Sequence, residues 1–239
     1  MTVMLKSTQF DSKDKSIMKI NVESISKNYR SKEVLREVSF EAESGMQVGI
    51  VGKNGIGKST LLSILAGVNK ADGGKFMYEG KDLIADKDLR NKVCAYIPQE
   101  MPLISELSAK DNLRMWYSDK KLKKELSEGF LKTLGIDEFL KVSVRKMSGG
   151  MKKRLSIGCA IYADPRVLIL DEPTASLDLV CKEIINDYLD AFKKKGGIVV
   201  LATHDEKEIE KCDALYLLKD RALTRYEYDG SIKNLVDSF

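Results

Sequence analysis

The chain has 239 residues, a formal net charge of +4, 43% hydrophobic residues and 32% charged residues. That length holds one domain with room for a subdomain, and the composition is that of an ordinary globular protein. There is no basic arm or aromatic-interleaved basic patch to mark a nucleic-acid partner, no apolar run near the roughly 18–20 residues that span a bilayer, and no signal-peptide core. Cys94, Cys159, Cys181 and Cys212 are scattered without C-x-x-C spacing. Disulfides and a zinc site are therefore not expected, and a reducing compartment fits.

Residues 1–17 are polar and aperiodic and read as a loose extension, either vector-derived or an upstream start before Met18. Lys19–Ile25 and Val34–Glu41 alternate and read as strands of an antiparallel edge. Gln47–Val51 is an apolar strand. It runs into Gly52, Lys53, Asn54, Gly55, Ile56, Gly57, Lys58 and Ser59, the pattern Gly-x-x-x-x-Gly-Lys-Ser/Thr, with Thr60 next. An apolar-periodic helix (Leu61, Leu62, Ile64, Leu65) follows and stops at Gly67. A strand, this loop and a helix make the setting in which backbone N–H groups and a helix N-terminus cradle a phosphate chain. Lys58 is expected to reach the β- and γ-phosphates of a nucleotide, and Ser59 to bind Mg²⁺.

Val93–Ile97 reads as another strand. Residues 98–164 then turn helical, as an inserted subdomain, with Lys121–Leu134 as one helix presenting Leu122, Leu126, Phe130 and Leu134 on one face. Ser148 is placed to cap a helix through Met151–Ile161. Arg166–Leu170 and Ile198–Thr203 read as buried parallel strands. The first ends in Asp171-Glu172. Two acids at the end of a buried strand are costly unless Asp171 faces Mg²⁺ and Glu172 polarises an attacking water. Lys193-Lys194-Lys195 suits a solvated helix end. Tyr216–Leu218 and Leu223–Tyr228 suggest late strands, and Ile232–Phe239 a closing helix. Strands alternating with helices predict an α/β core around a parallel sheet.

In this order the motifs resemble the ATP-binding subunit of an ATP-binding cassette (ABC) transporter, over roughly residues 19–230. The run from Met147 to Leu155 is similar to that family's signature, with Ser148-Gly149-Gly150 intact. The resemblance implies a P-loop NTPase core with a mostly parallel sheet, an antiparallel N-terminal β part and an inserted helical subdomain. It implies one cassette over 18–239, with the subdomain at 98–164 inserted in a RecA-like core. It implies ATP and Mg²⁺ as ligands, with ATP hydrolysed to ADP and phosphate.

Its residue roles carry over as follows. Ser148, Gly149 and Gly150 would contact the γ-phosphate of ATP held by another subunit. Gln99 would sense Mg²⁺ and water, Tyr29 would stack on adenine, and His204, the chain's sole histidine, would hydrogen-bond the γ-phosphate. Ser176-Leu177-Asp178 would communicate across the dimer. Partners would be a separate transmembrane permease and a second ATPase subunit, identical or paralogous, with the chain peripheral on the inner face of the cell membrane. Met101, Leu103, Ile104, Leu107, Met115, Trp116 and Tyr117 are candidates to receive a helix of the permease, with subdomain core the other reading for Trp116.

Met147 stands where the family usually has leucine, and Met151 where importers usually have glutamine, so the signature is closer to small bacterial exporter cassettes. Asp220-Arg221 replaces a glycine often found in the late hairpin, without expected consequence for function. No regulatory domain is expected after residue 239. An importer subunit, a soluble cassette ATPase and a P-loop kinase or GTPase are the competing readings. The last leaves Ser148–Gly150 and His204 unexplained.

Overall fold

A computed structural model describes residues 18–30, 32–99 and 102–239. The expected extension 1–17 and the candidate Met101 lie outside them. In chain order the first half forms β1 (Lys19–Tyr29), β2 (Lys32–Glu43), β3 (Gln47–Val51), α1 (Lys58–Leu65), β4 (Gly73–Tyr78), β5 (Lys81–Asp82), α2 (Lys87–Val93) and β6 (Cys94–Ile97). The helical stretch follows as α3 (Ala109–Arg114), α4 (Asp119–Glu128), α5 (Phe130–Thr133) and α6 (Gly149–Ala160). The chain closes with β7 (Val167–Asp171), α7 (Leu179–Lys194), β8 (Ile198–Ala202), α8 (Glu206–Glu210), β9 (Ala214–Lys219), β10 (Ala222–Tyr226) and α9 (Ile232–Asp237).

The main sheet runs β10-β9-β3-β8-β7-β6, and every neighbouring pair is parallel except β10 with β9. Strand alternation decides what each face meets. Val167, Ile169, Ile198, Val200 and Ala202 turn towards α1 and a second, antiparallel sheet of order β2-β1-β4-β5. Leu168, Leu170, Val199 and Leu201 turn the other way, onto α6, α7 and the helical stretch. Both faces are therefore covered, which is why these strands are apolar along their whole length.

The expected single helix Lys121–Leu134 is two. Gly129 is extended at φ −96°, ψ −166°, and the Glu125 carboxylate accepts from the Phe130 N–H at 3.0 Å, which starts α5. Leu122, Leu126, Phe130 and Leu134 still pack into one cluster. The strand expected from Val93 begins at Cys94, because Val93 closes α2. Tyr117 is not a surface residue: it is buried, and its hydroxyl donates to the Gly158 carbonyl at 2.8 Å. In the late hairpin Asp220 (φ 48°) and Arg221 (φ 71°) both take left-handed backbone, as a tight hairpin turn requires. Arg221 pairs with Glu33 at 3.0 Å, which docks this hairpin on the tip of β2. Among the described residues no helix is long and apolar enough to cross a membrane.

Candidate functional site

Parallel strands bring their C-terminal ends to one edge, and ligands of open α/β sheets bind outside that edge. Here β3 delivers the glycine-rich loop, β7 delivers Asp171 and Glu172, and β8 delivers Thr203 and His204. A cleft of about 660 Å³ lies there, lined by Lys58, Ser59, Asp171, Glu172, His204 and Gln99 among others. Asn54, Gly55, Gly57 and Thr60 line its floor, and Tyr29 its rim.

The loop conformation depends on its glycines. Gly52 has φ 148°, and a Cβ there would lie 2.4 Å from the Leu218 carbonyl oxygen. At Gly55 (φ 74°) a Cβ would meet nothing within 4 Å, so the backbone faces open space where a phosphate chain can approach. Lys58, at the start of α1, is buried. Its ammonium donates to the carbonyls of Gly52 (2.7 Å) and Lys53 (3.2 Å) and contacts His204 Nε2 at 3.0 Å. Because Lys58 is the donor, Nε2 accepts and the imidazole is neutral. Burial, and then the Lys58 charge, hold the His204 pKa below its ordinary value, in agreement. Burial also pushes Lys58 down, against the pull of the Glu172 and Asp171 carboxylates.

Glu172 follows the last residue of β7 with φ 48°, a left-handed turn that is uncommon for a residue with a side chain. Its Oε1 lies 3.5 Å from His204 Nε2. Burial raises its pKa, Lys58 opposes the rise, and Asp171 adds to it. The carboxylate is thereby a stronger base than an exposed glutamate. The hydroxyl of Ser59, the amide of Gln99 and the buried carboxylate of Asp171 share this cleft. These are all oxygen donors, the chemistry that suits Mg²⁺ beside a phosphate chain.

Ser148, Gly149 and Gly150 are not part of the cleft lining. Ser148 caps α6, accepting from the Met151 N–H at 3.2 Å, and Ser148 and Gly149 are exposed. Gly150 is buried against α7, where a Cβ would come within 2.2 Å of Cys181 Sγ. Asp178 of the Ser176-Leu177-Asp178 run caps α7 through the Cys181 N–H at 2.9 Å. The Tyr29 ring is 45% exposed, with the Lys27 ammonium 5.2 Å from its centroid.

Four buried charged residues among those described, Arg90, Arg154, Lys153 and Glu208, went unrecognised in the sequence, and the last two bear on the site. Lys153, on α6, donates to the Pro98 carbonyl at 3.0 Å, beside Gln99. Burial pushes its pKa down to about 8, against Asp171, Glu208 and Glu172. Glu208, on α8, is buried and hydrogen-bonded by the Thr203 hydroxyl. Lys153 sits in a Lys-Lys-Arg run and Glu208 in DEKEIE, both of which read as solvated surface.

A family profile described as "ABC transporter" matches residues 35–175. The chain belongs to the ABC transporter family, as an ATP-binding subunit. A lantibiotic transport ATP-binding protein of Streptococcus pyogenes is 30% identical over 92% of this chain and 95% of its own length. A probable sulfate/thiosulfate import ATP-binding protein of Chlorella vulgaris is 32% identical over 92% of this chain and 94% of its own length. Among solved structures, a dimeric, post-hydrolysis ATP-binding cassette bound to ADP and Pi superposes with a TM-score of 0.77 at 25% identity, covering 87% of this chain and 97% of that one. The chain is an ABC ATPase, and the fold expected from the signature, loop and strand order is the fold observed.

Proposed function

We propose that this ATPase powers a bacterial exporter, and that two such subunits close head-to-tail on two ATP molecules. The division of the site carries the reading. The cleft gathers Lys58, Ser59, Asp171, Glu172 and His204, whereas Ser148–Gly150 sit at an exposed helix start outside it. Only a second chain brings that helix N-terminus to the phosphates, and two-fold symmetry then completes both sites at once.

Each residue has a role in that assembly. The loop amides and the Lys58 ammonium hold the β- and γ-phosphates, and Tyr29 stacks on the adenine. Ser59, Asp171 and Gln99 would hold Mg²⁺, which would supply positive charge to offset that of the phosphates. Glu172 takes the proton of the attacking water. His204, held neutral by Lys58, orients the γ-phosphate. The signature helix of the second chain offsets the charge that develops in the transition state.

The exporter direction is supported by Met151 in the signature run and by a Nod factor export ATP-binding protein of Rhizobium sp., 32% identical over 84% of this chain and 67% of its own length. The import relative favours the second reading, an importer subunit. Ile104, Met115 and Trp116 are 40%, 56% and 51% exposed and form the candidate contact with a transmembrane permease, which would place the chain on the inner face of the membrane.

The test is Glu172→Gln. It is expected to bind ATP, to lose about 10²–10⁴ in kcat and to accumulate as a dimer with ATP and Mg²⁺. Light scattering that finds only monomer overturns the dimer reading. Tagged Glu172→Gln protein drawn from detergent-solubilised host membranes should bring a multi-pass membrane protein with it. Only soluble partners would overturn the transport role.

A further inference from the structure

A buried carboxyl with no assigned role is bonded to the segment that carries His204. Glu208 is 1% exposed, as are Thr174, two residues after Glu172, and Thr203, one residue before His204. The Thr203 hydroxyl donates to Glu208 Oε2. Thr203 Oγ1 in turn accepts from the Asp205 N–H at 2.9 Å, so its own proton is committed to Glu208. The Thr174 hydroxyl, buried in its turn, is among the groups that lower the Glu208 pKa. Yet neither Thr174 Oγ1 nor Glu208 Oε1 completes a hydrogen bond. The Glu208 backbone is itself anchored, its carbonyl accepting from Gln47 Nε2 at 3.1 Å and from Cys212 Sγ at 3.1 Å.

We propose that Glu208 is a positioning residue for ATP hydrolysis, its carboxyl bridging Thr203 to Thr174 so that Glu172 and His204 keep one register. The inference rests on the reading of Glu172 as base and His204 as switch. A protonated carboxyl satisfies every group in the bridge. Oε2 accepts from Thr203, and a proton on Oε1 donates to the Thr174 hydroxyl. An ionised carboxylate leaves one buried oxygen without a donor unless the Thr174 hydroxyl swings to it.

The surroundings favour the protonated form. Burial raises the Glu208 pKa to about 7, with Asp205 and Glu172 adding to the rise and the two threonines opposing it. From other elements the charged group coupled to Glu208 is Lys153 on α6, while Lys182 on α7 is occupied by Asp205 at 2.5 Å. Cys212, after α8, is pushed to about 12 and stays a thiol.

The discriminating pair is Glu208→Gln and Glu208→Ala, assayed on the full chain with ATP and Mg²⁺ beside Glu172→Gln. Glutamine accepts from Thr203 and donates to Thr174 at every pH, so E208Q should match wild-type kcat at pH 6.5. The ratio of E208Q to wild-type kcat should then rise about tenfold by pH 8, one unit above the Glu208 pKa. Using the ratio removes titrations that Glu208 does not influence. E208A should lose at least about tenfold in kcat with KM for ATP changed less than about threefold. Thr174→Val, which removes only the far end of the bridge, should cut kcat without affecting KM. A flat ratio, or wild-type kcat in E208A and T174V, overturns the proposal. If E172Q itself keeps wild-type turnover, the underlying assignment of the base fails instead.

Discussion

Gly150→Ala tests whether the signature helix acts outside its own chain's cleft. A Cβ at Gly150 would lie 2.2 Å from Cys181 Sγ and 2.9 Å from Cys181 Cβ, well inside contact distance. Relieving that overlap forces α6 away from α7, at a cost of about 1–3 kcal/mol for overpacking a tight contact. For a chain of this size the cost should appear as a fall in Tm of about 2–4 °C per kcal/mol. The functional cost is separate. Ser148 and Gly149 ride on the same helix start, and a displacement near 1 Å at a reacting centre costs on the order of 10²-fold in rate. We expect kcat to fall about 10–100-fold and ATP-induced dimerisation to weaken. ATP affinity of the single chain should stay within about twofold, because residues 148–150 do not line the cleft. Cys181→Gly removes both clashing atoms, at a helix-propensity cost of about 0.3 kcal/mol for the step from cysteine to glycine, together with the loss of a small buried side chain. The double variant should therefore recover turnover while remaining less stable than wild type. The assays are titration calorimetry for ATP, steady-state turnover and thermal melting. The reasoning fails if Gly150→Ala turns over normally, if it loses single-chain ATP binding, or if Cys181→Gly does not rescue it.

Lys58→Ala removes the donor to Gly52 and Lys53 and the cation that opposes the Glu172 shift, so both ATP binding and turnover should be lost. Calorimetry showing unchanged affinity would remove Lys58 from the phosphate site. Tyr29→Ala should weaken ATP by about 1–3 kcal/mol, the worth of an aromatic stack on a base, while Tyr29→Phe binds normally. Equal affinity in all three proteins would assign Tyr29 to packing. Glu208 also makes stability fall with rising pH. Its folded-state pKa is raised from 4.5 to about 7, so between those values the native state holds more protons than the unfolded chain. The slope of unfolding free energy is then negative, at most about 1.4 kcal/mol per pH unit. Urea midpoints at pH 5 and pH 7 should show Glu208→Gln gaining on wild type, and a constant difference would contradict the buried, protonated acid.

The core strands were legible because a parallel strand covered on both faces must be apolar throughout, as Val167–Leu170 and Ile198–Leu201 are. What was missed lies between Gly67 and Cys94. Phe76 is the only buried residue of β4, and that strand is held by pairing with β1, some fifty residues away in sequence. Arg90 and Val93 are the buried residues of α2, too few for a helical period to emerge. The break at Gly129 was hidden for the opposite reason. Leu122, Leu126, Phe130 and Leu134 keep helical spacing across it, because both pieces face the same cluster. Within the site, the loop, Asp171-Glu172 and His204 announce themselves through residue types at strand ends. Tyr117 does not, since only the carbonyl of Gly158 tells a buried tyrosine from an exposed one.

Lys153 and Glu208 were beyond the sequence for a deeper reason. A charged residue is buried only when the fold brings it a partner: Lys153 finds the Pro98 carbonyl, distant in sequence, and Glu208 finds the Thr203 hydroxyl, five residues back but across the turn between β8 and α8, where no helical or strand period points to it. Burial disfavours the charged form of each, lowering the lysine to about 8 and raising the acid to about 7. Both groups therefore lie within a unit or so of giving up their charge near neutral pH. Both also hold one segment of the fold to another. Lys153 ties the signature helix to the segment that carries Gln99, and Glu208 ties α8 to the loop of His204. A fixed apolar contact would serve stability at least as well as a buried charge held by one or two hydrogen bonds. A polar link adds direction: it is strong in one arrangement of the two segments and costly in any other.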